Sequence, residues 1–185
     1  MRRSTVIFAA GLAAALIAAC TKQSLQTTYD KQTTYIESFV SAQMKADTNA
    51  TLTRNGGAYR LTLHDTLPPE RDSLLWGQKV ALYYGCFTLT SSSINTSGLV
   101  STNIKELATR AGWSLSDTTL FKLDTITLDK NLLTGLADGL AGVQPLDEGY
   151  ILFTGKYGYG KSERGMIPAL SALVYYFAID NIFDE

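Results

Sequence analysis

Gly155-Lys156-Tyr157-Gly158-Tyr159-Gly160-Lys161-Ser162 has the glycine, lysine and serine spacing of a loop that cradles phosphate through backbone amides. That chemistry also needs a helix starting at the lysine, with its first amides aimed at the anion. Here Ser162-Glu163-Arg164-Gly165-Met166-Ile167-Pro168 follows, with a glycine and a proline where helix should run. No nucleotide is expected at residues 155–162. His64, the one histidine, precedes Asp65. A Ser-His-Asp relay also needs a presented serine, and no Gly-x-Ser-x-Gly turn is present, so His64 reads as structural. Asp147 and Glu148 are adjacent carboxylates at a turn before a strand. Strand neighbours point to opposite faces, so the pair reads as a solvated turn rather than an acid–base couple. Two cysteines and one histidine supply neither a disulfide framework nor a zinc finger. No metal and no cofactor are expected.

The first cysteine has a different chemistry. Arg2 and Arg3 precede an apolar run over residues 6–19 that ends Leu16-Ile17-Ala18-Ala19-Cys20. A basic start and a short apolar run form a secretory signal, too short for a span of roughly 20 apolar residues. The small residues before the cysteine resemble the bacterial lipobox. That resemblance implies a signal peptide over 1–19 and a lipid on Cys20. With Thr21 next, and no aspartate there, it implies the periplasmic face of a Gram-negative outer membrane. Cys86 is then the one free thiol. It lies in an apolar run over 79–87 and reads as a small buried residue.

The elements that position these groups follow from length and pattern. The chain has 185 residues, 45% hydrophobic and 18% charged, with 16 basic against 17 acidic side chains. That suits one modest domain with attachments, and the absence of a basic excess argues against a nucleic-acid partner. Residues 21–34 are polar and aperiodic and read as a tether. Tyr35, Ile36, Phe39, Val40 and Met44 share one face of a helix. Residues 47–57 form a polar break closed by Gly56-Gly57. Strand patterns follow at 59–63, 80–89, 120–128, 149–153 and 172–182. Helical spacing appears at 104–111, with Thr102 or Asn103 as its cap, and at 132–140. The expected organisation is a signal peptide (1–19), a lipidated tether with an amphipathic helix (20–57) and an α+β domain (58–185).

Within that domain, Leu132-Leu133-Thr134-Gly135-Leu136-Ala137-Asp138-Gly139-Leu140 precedes Tyr157-Gly158-Tyr159-Gly160. Met166-Ile167-Pro168 and Leu173-Val174-Tyr175 come next. This ordered set resembles the FKBP-type peptidyl-prolyl isomerases over roughly residues 128–182, and Val80-Ala81-Leu82-Tyr83-Tyr84-Gly85 resembles the family's early strand. The resemblance implies an antiparallel sheet wrapped around a short helix, here with an N-terminal helical extension. It also implies a prolyl pocket. By motif match, Tyr83 takes the early-strand tyrosine and Leu136 stands where the family has a tryptophan floor. Tyr159 takes the hairpin tyrosine whose hydroxyl meets a ligand carbonyl, and Ile167 offers a backbone amide. Val100 and Ser101 take the places of a Phe-Asp pair. Leu132, Leu133 and Tyr175 complete the wall. Lacking the indole and the carboxylate, the chain reads as a weak isomerase or folding helper for proline-containing polypeptides. The alternative is an inactive module that binds a peptide or partner protein.

Overall fold

The computed structural model describes residues 4–63 and 71–183, with side chains placed from Gln23 onward except at Thr118. His64 lies outside the described residues. In chain order the elements are helix α1 (Ser4–Ala46), strands β1 (Thr51–Asn55), β2 (Ala58–Thr62), β3 (Lys79–Leu89) and β4 (Leu99–Thr102), and helix α2 (Lys105–Arg110). Strand β5 (Asp124–Thr127), helix α3 (Thr134–Leu140) and strands β6 (Glu148–Phe153) and β7 (Ala172–Phe183) complete them. The seven strands form one antiparallel sheet in the order β1-β2-β6-β7-β3-β4, and β5 also pairs with β3. β3 and β7 are its longest strands, rich in valine, tyrosine and phenylalanine that fit a pleated, buried surface. They pair from Lys79↔Phe183 to Leu89↔Ala172.

The sheet is buried on both faces. Its inner face packs Val80, Leu82, Cys86, Ile151, Phe153, Leu173 and Phe177 against Leu136, Ala137 and Leu140 of α3. Its outer face packs Leu61, Leu89, Leu152 and Val174 against Ile36, Phe39 and Val40 of α1. The apolar stripe of α1 therefore finds its partner in the same domain, and Ile36 is fully buried. Two expectations are corrected here. Residues 21–34 are helical, continuous with 35–44, because a helix face turned to water needs no apolar repeat. The segment 47–57 contains β1, which pairs with β2 from Thr51↔Thr62 to Asn55↔Ala58. A domain cut at residue 58 would lose this strand and the whole outer layer. Among the described residues, no helix is long and apolar enough to cross a membrane.

Asp147 is also corrected. It is buried rather than solvated, pairing with Arg71 at 3.0 Å and accepting the Gln144 amide at 2.9 Å. A buried carboxylate persists only with such partners. Glu148 points away and accepts the Tyr176 hydroxyl at 2.8 Å.

Candidate functional site

Helix α3 forms the floor of the site, and glycines let it lie close to the sheet. A Cβ at Gly135 would come within 2.2 Å of the Phe153 ring, and one at Gly139 within 2.2 Å of Ile151. The Arg60 guanidinium donates to the Gly139 and Ala141 carbonyls at 3.1 and 2.7 Å, holding the C-terminal end of α3. Asp138 accepts the Gly57 amide at 3.1 Å, tying α3 to the β1–β2 turn.

Above this floor the sheet parts. Residues 79–82 of β3 pair with β5, and residues 85–87 pair with β4. Asn103 fills the fork. Its Oδ1 accepts the Tyr84 amide at 2.6 Å, and its Nδ2 donates to the Leu82 and Lys122 carbonyls, both at 3.0 Å. The buried carboxamide thus fixes the backbone on either side of Tyr84. The expected capping role for Asn103 is replaced by this one, and the N-cap of α2 is Ile104.

Between floor and fork lies a cavity of about 170 Å³ lined by Leu82, Tyr84, Ser101, Asp124, Ile126, Leu132, Leu136, Leu140, Tyr175 and Phe177. An apolar cavity of about 150 Å³ is enough to admit benzene, so this one has room for a five-membered ring. The Tyr175 ring stacks on Phe153 at 6.0 Å and lies 6.4 Å from the Tyr84 ring. The Ser101 hydroxyl is hydrogen-bonded to Tyr84. Burial, countered by Ser101 and reinforced by the nearby Asp124 charge, pushes the Tyr84 phenol above its ordinary value. Behind the cavity, burial pushes the Cys86 thiol up to about 12, offset in part by its hydrogen bond with Tyr175, and burial pushes the Tyr175 phenol up as well. Neither group ionises near neutrality, so this side of the cavity wall is an uncharged, mostly apolar surface.

A trough of about 490 Å³ opens beside the cavity. It is lined by Val100, Trp113, Leu120, Lys122 and Met166, among others, and shares Tyr84, Ser101 and Asp124 with the cavity.

The residues singled out from sequence divide accordingly. Ser101, Leu132, Leu136 and Tyr175 line the cavity. Val100 lines the trough. Leu133, Tyr159 and Ile167 pack against the inner core but do not line the cavity. Tyr83 is corrected: it is 41% exposed and lies on the opposite side of β3, while its neighbour Tyr84 faces the cavity. Val80, Leu82, Tyr84 and Cys86 share the inner face at the strand period of two, and Tyr83 falls between them. Ile167 is corrected too. Its amide donates to the Arg164 carbonyl at 2.9 Å, closing a small turn, and is not free for a ligand. The Tyr159 hydroxyl has no hydrogen-bond partner among the described residues. Asp124, Tyr84 and the bridging role of Asn103 are not among the site features that the sequence singles out. The alternation of β3 pointed to Tyr84, but nothing local marked the other two.

The phosphate-loop motif at 155–162 has another use. Gly155–Tyr157 is a single 3-10 turn, and the chain beyond Lys161 runs through further turns rather than a helix. Among the described residues, no group of three His, Cys, Asp or Glu side chains gathers to hold a metal.

No protein-family model matches the chain, and no curated protein matches it in sequence. Solved structures are similar to it, two of them as follows. The three FKBP domains of wheat FKBP73 match with a TM-score of 0.55 and 13% identity, over 74% of this chain and 52% of that one. The N-terminal domain of FKBP42 from Arabidopsis thaliana matches with a TM-score of 0.51 and 13% identity, over 72% of this chain and 93% of that one. The match therefore spans about half of the wheat chain. At this identity the likeness is one of fold. The antiparallel sheet wrapped over α3, with α1 laid along its back, is an FKBP-like fold.

Proposed function

We propose that the chain is a lipid-anchored envelope protein whose FKBP-like domain takes prolyl segments of polypeptides into the α3 cavity and slowly interconverts their cis and trans forms. The observation that carries this reading is the cavity itself: ring-sized, walled by Tyr84, Leu136, Tyr175 and Phe177, and sharing Tyr84, Ser101 and Asp124 with a trough of about 490 Å³ that has room for flanking residues. The reaction needs no nucleophile. Rotation about an X-Pro bond must pass a barrier of about 18–20 kcal/mol set by amide resonance. An apolar site lowers that barrier when it holds the twisted amide better than either planar form.

Slow turnover follows from the same geometry. Leu136 offers less surface under a prolyl ring than an indole would, and the Ile167 amide is already bonded to Arg164. That second observation also favours the alternative, a module that binds prolyl peptides without turning them over. Cis/trans relaxation of an Ala-x-Pro-Phe peptide series with the full-length chain separates the two. Acceleration that disappears in Tyr84→Ala supports the isomerase. Saturable binding without acceleration supports the module.

The anchor is part of the proposal. Several acyl chains on Cys20 would hold the protein stably where a single chain is marginal. Cys20→Ser should then release the protein from the membrane fraction or leave it unprocessed. Unchanged fractionation and processing would end the lipoprotein reading.

A further inference from the structure

The cavity and the trough meet at Tyr84, Ser101 and Asp124. Asp124 stands directly opposite Leu82 in the β3–β5 ladder. Cross-strand partners share a face, and Leu82 is buried in the inner core. Asp124 therefore stands on the cavity side of the sheet, at its exposed rim, where it is the only charged group of the cavity lining among the described residues. Its Oδ1 accepts the Thr125 amide at 2.9 Å, and it forms no ion pair among the described residues. Lys122 lines the trough but not the cavity, and it too forms no ion pair among the described residues. The junction thus presents one carboxylate outside any ion pair, and the trough that it shares with Lys122 also holds Tyr84 and Trp113, whose rings offer faces for a cation.

We propose that Asp124 selects polypeptides that carry a lysine or arginine next to the proline held in the cavity. The inference rests on the prolyl reading given above and names the class of segment that the site prefers. A peptide ammonium or guanidinium reaching the junction gains the attraction of the carboxylate without displacing an internal partner. An acidic residue at the same place meets repulsion. Because the pair stays partly in water, the preference is modest, about three- to fivefold in affinity over a neutral residue, and it fades with salt.

The test uses the full-length chain in lipid nanodiscs with Trp76→Phe, so that Trp113 in the trough reports binding. The probes are three capped peptides, Ala-Lys-Pro-Leu, Ala-Leu-Pro-Leu and Ala-Glu-Pro-Leu, together with the series in which the varied residue follows the proline. The expected order is Lys above Leu above Glu in at least one series, with the spread closing at high salt. Asp124→Asn should bring the Lys-to-Leu ratio close to one, and Asp124→Lys should invert the order. A thermal melt of each variant verifies folding first. Equal affinities in the wild type, or an order that survives in both variants, would overturn the proposal while the prolyl reading stands. Failure of the neutral peptides to bind at all would overturn both.

Discussion

The Gln32 side chain donates from Nε2 to the Leu170 carbonyl, 138 positions away in sequence, at 2.5 Å. Its Oε1 accepts the Gly155 amide at 2.9 Å. One carboxamide on α1 thus closes the neck of the loop over 155–170, which carries Tyr159, Met166 and Ile167. The neck is tight. A Cβ on Gly155 would lie 2.7 Å from the Leu170 backbone, and Leu170 itself has φ 60°. Removing the carboxamide leaves buried backbone groups unpaired, which costs about 1–3 kcal/mol. Gln32→Ala should therefore lower stability by that amount. Hydrogen exchange in the variant should speed up over 155–170 while the β1–β2 hairpin keeps its protection. Equal acceleration in both regions would show that Gln32 does not act on the loop in particular.

Helix α1 is an integral layer of the domain. Ile36 is fully buried against the outer face of the sheet. Ile36→Ala should cost about 2–5 kcal/mol, the usual range for emptying a core site. Met44→Ala, at a position 39% exposed, should cost far less. Urea melts of the two variants test this, and comparable midpoints would show that α1 is only an attachment.

Stability should fall at alkaline pH. The folded state raises the Cys86 thiol to about 12, and it also raises the phenols of Tyr175, Tyr84, Tyr150 and Tyr176. A group whose pKa is higher in the folded state keeps its proton there while the unfolded chain loses it. Its stabilisation is complete below the unfolded pKa and is lost as pH rises toward the folded value. For Cys86 that window runs from about 9 to about 12, at about 1.4 kcal/mol per pH unit for each proton. Urea midpoints measured upward from neutral pH should drop beyond this lower edge, and Cys86→Ala should flatten part of the slope. A pH-independent midpoint across the window would contradict the buried, protonated pair.

The two adjacent tyrosines of β3 should behave oppositely. Tyr84→Ala removes a wall of the cavity and the hydroxyl bonded to Ser101, so affinity for prolyl peptides should drop by about tenfold or more, as for a buried aromatic anchor. Tyr83→Ala changes an exposed ring on the other face, and its effect on stability should stay within about 0.5 kcal/mol. Peptide titrations of both variants, with melts as controls, check the assignment.

These contrasts show what the chain discloses by itself. Strands β2, β3, β5, β6 and β7, α3 and the apolar face of α1 follow from local pattern, whereas β1 and β4, short strands at the two ends of the sheet, carry no such signal, β1 being almost wholly exposed. The order of motifs from Leu132 to Tyr175 leads to the fold by resemblance. Motif resemblance points to Tyr83 rather than Tyr84 because it compares letters, while the strand pleat decides which side chain turns inward. The aperiodic stretch over 21–34 reads as coil because its helix faces water on most sides and docks through the polar Gln32 rather than an apolar stripe. Asp147 looked solvated because its partner Arg71 lies far away in sequence and arrives only on folding. Gln32, Asn103 and Asp124 share that difficulty: each gains its role from neighbours brought in by the sheet.

The claim at the centre of this account is that prolyl segments occupy the cavity on the α3 side of the sheet. Amide and side-chain chemical-shift mapping of the full-length chain against Ala-Leu-Pro-Phe tests it most directly, with exchange spectroscopy on the peptide in the same samples. The account predicts saturable shifts at Tyr84, Ser101, Leu132, Leu136 and Tyr175, together with cis–trans exchange cross-peaks that vanish in Tyr84→Ala. Shifts confined to the outer face around Tyr83, or no shifts at saturating peptide, would contradict it.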